Sequence, residues 1–286
     1  MGQRIATLTH ESPLGSWRIS LCAPHPLLAS LVASIWFGEG RVTYQRDRIL
    51  PAGQSQLLIN LGPPQYRIGT GASERRIAFR DVWYSGLQQG PIDTESPHGS
   101  ALLGVTFHAH GVFPWLGEDL LMLGGQVVAL ADVVGAGVLA LRERLLNCAS
   151  LETRFQMVQQ WIIGRFSAHR LVHPAVTWTV DRLIASDGRA GIGHLARATG
   201  YTRKHLAHLF QQQIGMGPKT LARVLRFRGV LSLLQAAEPL PWAEVADRCG
   251  FYDQAHFSNE FRSFSGLTPG EFVRKAQPDD QSIVLL

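Results

Sequence analysis

The sequence predicts an α+β protein: a mainly β N-terminal barrel or sandwich with some helices, followed by an all-α domain of two helix-turn-helix units. A helical pattern near the C-terminus occurs twice, in residues 195–218 and in residues 245–269. The first half instead has short apolar runs separated by glycine, proline and polar turn residues, which is typical of short strands. At 286 residues the chain is long enough to bury two cores of ordinary size.

The N-terminal elements are predicted from apolar runs and their spacing. Strands are expected in SQLLINLG, DVWYSGL and ALLGVTFHAHG, at residues 55–62, 81–87 and 101–111. Helices are expected at residues 27–37, 138–147 and 151–170. The last of these helices has an apolar stripe, which is formed by Phe155, Val158, Trp161, Ile162 and Phe166. A stripe of this kind could be a homodimer face, buried against a second copy of the chain.

The two C-terminal copies agree at the positions where a helix-turn-helix needs particular residue types. Gly200 and Gly250 permit the left-handed turn that ends the first helix of each unit. Thr202 and Asp253 are predicted to cap the second helix by accepting backbone N–H groups. The second copy has one more residue in this region, which predicts a slightly longer turn. Residues 219–236 have a continuous helical pattern that would join the two units.

With these motifs the chain resembles the AraC/XylS family of transcriptional regulators. The stretch GFYDQAHFSNEFRSFSGLTPGEFVR, residues 250–274, is very similar to the end of that family's DNA-binding domain, and the resemblance covers about residues 174–275. It implies two recognition helices that enter successive major grooves on one face of the duplex. The predicted linking helix would be roughly 27 Å long, close to the ~34 Å of one DNA turn.

The expected function is therefore sequence-specific DNA binding by a transcriptional regulator that is not an enzyme. The expected partners are double-stranded promoter or operator DNA, RNA polymerase, an unidentified small-molecule effector and a second copy of the chain. In this family a cupin-like β-domain commonly precedes the DNA-binding part, and RILPAGQSQLLINLG, residues 48–62, resembles the divergent sensory domain of one branch.

Charge is unevenly distributed along the predicted DNA-binding domain. Residues 171–235 contain nine Lys or Arg and two Asp or Glu, whereas residues 236–286 contain four and eight. Attraction to DNA phosphates should therefore come mainly from the first unit and the linking helix. The second unit is expected to bind more weakly or to recognise DNA shape.

The resemblance also indicates which side chains contact DNA. On the first recognition helix, Lys204, Ala207 and His208 are expected at base edges, while Arg203 and His205 are expected at phosphates or in local structural contacts. Arg226, on the linking helix, is expected to contact phosphate. The remaining candidates are Thr202 and Gln211 in the first unit, and Gln254, Ala255, His256 and Asn259 in the second.

The N-terminal domain offers a candidate ligand pocket and a competing enzymatic interpretation. The pocket would be lined by aromatic residues, although the same residues could simply form the core; they are Trp36, Trp83, Tyr84, Phe107 and Trp115. The alternative is a cupin-type metal-dependent enzyme or sensor. His108 and His110 have the spacing that places two imidazoles on one strand face, with His98 or Glu95 as a third ligand.

We expect neither a metal nor another cofactor, because the glutamate that a cupin metal motif requires is missing. Its place is occupied by Pro114 and Trp115. A second enzymatic alternative is an alkyl-transfer DNA repair protein, which needs a reactive cysteine. Cys22 and Cys148 lack the sequence setting of such a cysteine. No catalytic residue is therefore assigned.

These patterns divide the chain into four parts. They are a sensory domain (1–150), a connecting or dimerisation helix (151–172), a DNA-binding domain (173–277) and a flexible tail (278–286). The N-terminus has no apolar signal segment, and the apolar stretch at residues 120–145 contains too many polar residues to span a membrane. Three isolated cysteines are typical of a reducing compartment, so a cytoplasmic location is expected.

Overall fold

The structure is a computed structural model that describes residues 5–69, 75–116, 120–166, 170–234, 240–275, 277 and 282–285. Within these residues a mainly β region is followed by a helical region, which confirms the predicted α+β class. The strands are β1 (Ile5–Ser12), β2 (Gly15–Cys22), β3 (Val32–Val42), β4 (Arg46–Ile49), β5 (Ser55–Asn60), β6 (Gln65–Ile68), β7 (Arg76–Phe79), β8 (Val82–Ser85), β9 (Ile92–Glu95), β10 (Ser100–Phe107), β11 (Val127–Ala129) and β12 (Ser282–Leu285). The α-helices are α1 (Phe113–Leu116), α2 (Ala131–Val134), α3 (Gly137–Leu146), α4 (Leu151–Arg165), α5 (Pro174–Ala185), α6 (Ile192–Ala198), α7 (Arg203–Ile214), α8 (Pro218–Leu234), α9 (Trp242–Arg248), α10 (Gln254–Ser265) and α11 (Pro269–Arg274).

The strands form two antiparallel sheets that enclose a cavity between them. The larger sheet has seven strands in the order β1-β2-β3-β10-β5-β8-β11, and the smaller has five in the order β12-β4-β9-β6-β7. In the larger sheet the pairing aligns Phe37, Leu103, Ile59 and Val82 across four neighbouring strands. This row is buried in the N-terminal core. Since successive side chains of a strand point to opposite faces, the intervening residues face the cavity.

Helices cover the core side of the larger sheet. Trp115 of α1, Leu141 of α3, and Phe155 and Ile162 of α4 belong to the same buried core as the strands. Phe155, Val158 and Ile162 of the α4 stripe are thus covered by the chain's own N-terminal domain, whereas Phe166 is 39% exposed. The covered residues are not available to a second copy, and the dimer face at residues 151–172 stays a prediction.

The helix expected at residues 27–37 was a wrong prediction. The chain forms a short 3-10 turn at Pro26–Leu28 and then enters strand β3. This strand pairs with β2 on one side and with β10 on the other. The spacing of apolar residues in a short run does not distinguish a helix from a strand. Here hydrogen-bonded pairing on both edges makes the segment a strand.

The helical domain has two cores that share α8. The first core contains Leu195 and Phe210 of the first unit, together with Leu221 of α8. The second contains Phe227 of α8 and Phe261 of the second unit. The predicted linking helix is therefore confirmed as far as residue 234, and residues 235–236 lie outside the described residues.

The C-terminal tail corrects another prediction. Residues 278–286 were expected to be flexible, but Ser282–Leu285 forms β12, which pairs with β4 from Ser282 opposite Ile49 to Leu285 opposite Arg46. The run Ser282, Ile283 and Val284 is buried. An apolar segment that fills the edge of a sheet satisfies backbone groups on both strands, which fixes it in place. Residues 278–281 and 286 lie outside the described residues.

Candidate DNA-binding surface and ligand cavity

Both helix-turn-helix units have the turn geometry that the sequence predicts. Gly200 has a φ of +77° and Gly250 a φ of +72°, so both adopt the left-handed conformation that favours glycine. Residues 199–202 join α6 to α7, whereas residues 249–253 join α9 to α10, so the second turn is one residue longer. The predicted difference between the two turns is confirmed.

The N-terminus of each recognition helix is capped as predicted. The Thr202 hydroxyl accepts a hydrogen bond from the His205 backbone N–H at 3.2 Å. In the second unit the Asp253 carboxylate accepts one from the His256 N–H at 2.7 Å. Caps of this kind satisfy backbone donors that have no partner inside the helix, and they fix where α7 and α10 begin.

The outward face of α7 is polar and basic. Its exposed residues are Arg203, Lys204, His205, His208 and Gln211, whereas the apolar residues of the helix face the core. Lys204 and His208 are one helical turn apart and therefore share a face. Neither makes a hydrogen bond or an ion pair in the part of the chain that the structure describes, so both side chains are available to a duplex.

Arg203 and His205 differ from these two because they contact their own unit. The His205 ring stacks on Tyr201, with centroids 4.8 Å apart. Arg203 lies over Gly193 of α6, where an added Cβ would come within 2.5 Å of Nη2. Both side chains thus make local contacts, and their predicted contact with phosphate, the other alternative, stays a prediction. Ala207 is half-buried between the exposed positions.

The second recognition helix has neither Lys nor Arg at its predicted DNA-contacting positions. Gln254, Ala255, His256 and Asn259 are exposed on α10, as expected of base-contacting positions. Tyr252, in the preceding turn, is 92% exposed and was not singled out from the sequence. The sequence does not show whether a single aromatic residue in a turn is buried or exposed. The structure shows that the Tyr252 ring faces outward.

The side chain of Arg226, on the linking helix, is partly buried against the second unit. Its guanidinium carbon lies 5.6 Å from the centroid of the Phe251 ring in the second unit. Nε is buried without a hydrogen-bond partner in the described residues, and burial lowers the pKa of the guanidinium. Arg226 thus contacts the second unit, and its binding to phosphate stays a prediction. The exposed cation nearby is Arg228.

An ion pair joins the linking helix to the second recognition helix. Arg223 donates from Nε and Nη2 to the two carboxylate oxygens of Glu260, each at 2.7 Å. Burial by itself would raise the pKa of the Glu260 carboxyl. The hydrogen bonds and positive charge of Arg223 outweigh burial, however, and the net result is a lowered pKa.

The Arg223–Glu260 pair gives a pH-dependent prediction. Glu260→Gln should lower the free energy of unfolding by about 1 kcal/mol at neutral pH, the upper range for a partly exposed pair. The folded-state pKa is lowered, so the stabilisation is complete above the ordinary value of 4.5 and is lost as the pH falls through the folded-state value. Urea unfolding of both proteins at successively lower pH measures this convergence. If the two proteins still differed by the same free energy of unfolding in acid, the prediction would be contradicted. Glu244→Gln, which removes an exposed pair with Arg248, is the control.

A cavity of about 350 Å³ lies between the two β-sheets. The pairing aligns Trp36, Gly104, Leu58 and Trp83 on the cavity side of the larger sheet. The Trp36 indole lies over Gly104, where an added Cβ would come within 2.2 Å of the ring. The small residue thus allows the large one to lie flat along the cavity wall.

Only two of the five aromatic residues predicted for a ligand pocket line this cavity. Trp36 and Trp83 do so, whereas Tyr84, Phe107 and Trp115 are no more than 2% exposed and belong to the core. Trp83 and Tyr84 are neighbours on one strand and therefore point to opposite faces. The pocket prediction was wrong for the three core residues. The lining also includes residues that no sequence pattern singles out, among them Trp17, Arg67 and Phe79.

The proposed metal ligands do not come together. The rings of His108 and His110 are stacked with centroids 6.1 Å apart. Glu95, a candidate third ligand, pairs instead with Arg46 and Arg76. Across the described ranges no group of three or more His, Cys, Asp or Glu side chains could hold a metal ion. Nothing in this part of the chain supports the metal-dependent alternative.

The N-terminal domain contributes residues to the core of the second unit. Leu50, directly after β4, and Ile283 of β12 pack with Phe227 and Phe261. Leu50 also lines the cavity. One short segment is thus in contact with the cavity between the sheets and with the second helix-turn-helix unit.

Arg48 of β4 adds a polar contact at the same boundary. It donates to both carboxylate oxygens of Asp93 at 2.6 and 2.8 Å. Its Nη1 also donates to the backbone carbonyl of Ser265, the last residue of α10, at 3.2 Å. Because the last carbonyls of a helix have no intrahelical partner, Arg48 caps the second recognition helix from the N-terminal domain.

The first unit is also in close contact with the N-terminal domain. An added Cβ on Gly124 would lie 1.8 Å from the carbonyl oxygen of Gly215, which ends α7. Leu87 and Ala109 of the N-terminal domain enter the core of the first unit. Both recognition helices are therefore packed against the domain that contains the cavity.

Two family models match different parts of the chain. One, described as a helix-turn-helix domain, matches residues 195–275. The other, described as a domain of unknown function (DUF6597), matches residues 20–129. The first match covers both helix-turn-helix units and the linking helix, and the second covers most of the two sheets.

Similar proteins include two named regulators. The HTH-type transcriptional regulator GlxA of Rhizobium meliloti is 33% identical over 105 residues, which cover 36% of this chain and 32% of that protein. The arabinose operon regulatory protein of Escherichia coli is 26% identical over 144 residues, which cover 45% of this chain and 48% of that protein. The chain thus spans about a third to a half of the length of these relatives.

Among solved structures, ToxT from Vibrio cholerae aligns with a TM-score of 0.46 at 11% identity. The alignment covers 85% of this chain and 97% of that chain. In the described ranges, none of the helices has the length and apolar character needed to cross a membrane.

Proposed function

The chain is a member of the AraC/XylS family through its C-terminal domain, and from this premise we propose that it is a transcriptional regulator that binds promoter or operator DNA. The observation that carries the proposal is the pair of capped recognition helices, each with an exposed polar face, held by one linking helix. At 17 residues α8 is roughly 25 Å long, which suits units placed in successive major grooves. We propose DNA binding and no catalysis for this chain.

Footprinting tests this function. The purified full-length protein would be incubated with DNA from upstream of its own and neighbouring genes, at two salt concentrations and with random DNA as competitor. Protection of two adjacent major grooves that survives the competitor is the expected result. Protection that random DNA abolishes at both salt concentrations would contradict sequence-specific regulation, since phosphate attraction alone is blind to sequence.

Base contacts by the first unit lead to a specific prediction. Lys204→Ala should weaken binding to the protected site by about 1–3 kcal/mol and relax its base preference, because Lys204 is exposed and has no partner in the described chain. Arg228→Ala is the matched control, since an exposed cation on the linking helix should affect all sequences alike. Titrations on the specific site and on random DNA measure both effects. Equal losses of Lys204→Ala on the two DNAs would contradict base contact.

We further propose that the cavity between the sheets holds a small-molecule effector. Asp47 and Ile49 of β4 and Leu50 line this cavity, while Arg48 and Leu50 contact the second unit. A ligand that favours one position of this segment would also favour one arrangement of α10, and thereby change DNA affinity. The packing of Gly124 against Gly215 offers a similar contact with the first unit.

RNA polymerase and a second copy of the chain stay predicted partners. Activation would require polymerase contacts, and a dimer would have to use a surface other than the covered residues of α4. We place the protein in a reducing cytoplasm, since Cys22, Cys148 and Cys249 are free thiols.

A further inference from the structure

We propose that the cavity between the sheets binds a flat, apolar monocarboxylic acid, with its carboxylate paired to Arg67. This inference rests on the proposed role of the cavity as the effector site and adds the chemical class of the effector. Four kinds of observation support it: the aromatic walls, an unpaired guanidinium, unpaired amides and the volume.

The walls of the cavity favour a flat apolar group. Trp36 and Trp83 lie on the larger sheet, and the ring of Phe79, from the smaller sheet, contacts that of Trp83 with centroids 5.3 Å apart. Aromatic side chains supply large apolar contact areas on which a planar ligand can stack. A volume of about 350 Å³ accommodates one or two fused rings with a short substituent.

Arg67 is the cation available to a ligand. Among the described residues four charged ones line the cavity, and two of them, Arg18 and Glu39, pair with each other. The Asp47 carboxylate accepts a hydrogen bond from the Thr94 hydroxyl. Arg67 is half-buried and makes no hydrogen bond or ion pair with any described residue.

Strand pairing shows that Arg67 points into the cavity. Asp47, Thr94 and Arg67 are aligned across β4, β9 and β6 and therefore share a face. Asp47 lies two strands away from Arg67 in this row, roughly 10 Å by strand spacing, and its carboxylate accepts a hydrogen bond from Thr94. A guanidinium presents a planar fork of N–H groups that matches a carboxylate, and a partly desolvated site strengthens that pair.

The remaining polar groups fit one carboxylate better than a more highly charged anion. The side-chain amides of Gln54 and Gln56 line the cavity without a hydrogen-bond partner in the described residues and can donate to a carboxylate oxygen. A phosphate or a diacid would need a second cation. It would instead find the negative charge of Asp47 on the same wall, which is unfavourable.

Calorimetric titration of the full-length protein with 1-naphthoate and 1-naphthamide tests this inference. The two probes have the same rings, but only naphthoate is charged at neutral pH. Naphthoate should bind at least ten-fold more tightly than naphthamide. In Arg67→Gln this preference should disappear while the affinity for naphthamide is kept. Arg80→Gln removes an exposed arginine outside the cavity lining and should retain the preference. Thermal unfolding of each variant checks that it is folded.

The outcomes separate this inference from the proposed function. Equal binding of the two probes, no binding of either, or a preference for naphthoate that survives in Arg67→Gln would overturn the acid assignment. The footprint on DNA, measured without any probe, would be unaffected by these results. If naphthoate binds as expected but the protein protects no DNA sequence, the ligand class holds and the regulatory function fails.

Discussion

Ile283→Ala is expected to lower the free energy of unfolding by about 2–5 kcal/mol. Ile283 is fully buried, and it fills the core of the second helix-turn-helix unit from a strand that is paired with β4 of the N-terminal domain. Removing its side chain leaves a cavity where these two parts of the chain meet. Urea unfolding measures the loss. Leu285→Ala is the matched control, because Leu285 is in the same strand but only half-buried.

Ile283→Ala should also reduce the effect of a cavity ligand on DNA binding. With β12 loosened, β4 loses one of its connections to the second unit, while those through Leu50 and Arg48 are kept. DNA affinity measured with and without a cavity ligand, at a temperature where the variant is folded, shows the change. If the variant were as stable as the parent and its DNA affinity responded equally to the ligand, β12 would not couple the cavity to the second unit.

Phe261→Ala is expected to have the other large effect, a loss of about 3–5 kcal/mol in the free energy of unfolding. Phe261 is 1% exposed, and its ring contacts those of Phe227, Phe257 and Phe272. This cluster fixes α10 against α8 and α11. Because the total stability of a domain is typically ~5–15 kcal/mol, such a loss should unfold much of the second unit.

On DNA, Phe261→Ala should keep protection of one major groove and lose protection of the adjacent one. The first unit has a separate core, which contains none of the Phe261 contacts. Footprinting and circular dichroism measure the two effects. Tyr252→Ala is the control for stability, because a ring that is 92% exposed contributes little packing. Full protection of both grooves by a folded Phe261→Ala protein would contradict the assigned importance of this core.

The helix-turn-helix units were predictable because short-range chemistry determines them. Gly200 and Gly250 are needed for a left-handed turn, and Thr202 and Asp253 for a helix cap, whatever surrounds them. Each of these requirements involves residues only a few positions apart. The bounds of α7 and α10 therefore follow from the sequence, and so does the exposure of the outward positions.

The cavity between the sheets was only partly predictable, because it depends on which face of each strand meets the opposite sheet. Composition identifies Trp83 and Tyr84 as aromatic, but it does not show that one lines the cavity and the other the core. Arg67 has no sequence signal that separates it from an exposed arginine. Its candidate role becomes visible only when strand pairing places it on the cavity wall with no partner in the described residues.

The sequence by itself determined the order of the two domains, the duplicated recognition helices and the basic first unit, since these depend on local spacing and on charge counts. The tertiary structure alone decided that one side of α4 is covered, that Ser282–Leu285 is a strand and that Leu50 and Ile283 complete the core of the second unit. These features join residues that are far apart in the chain. Their stability comes from burial and pairing between distant segments, which local propensity does not encode.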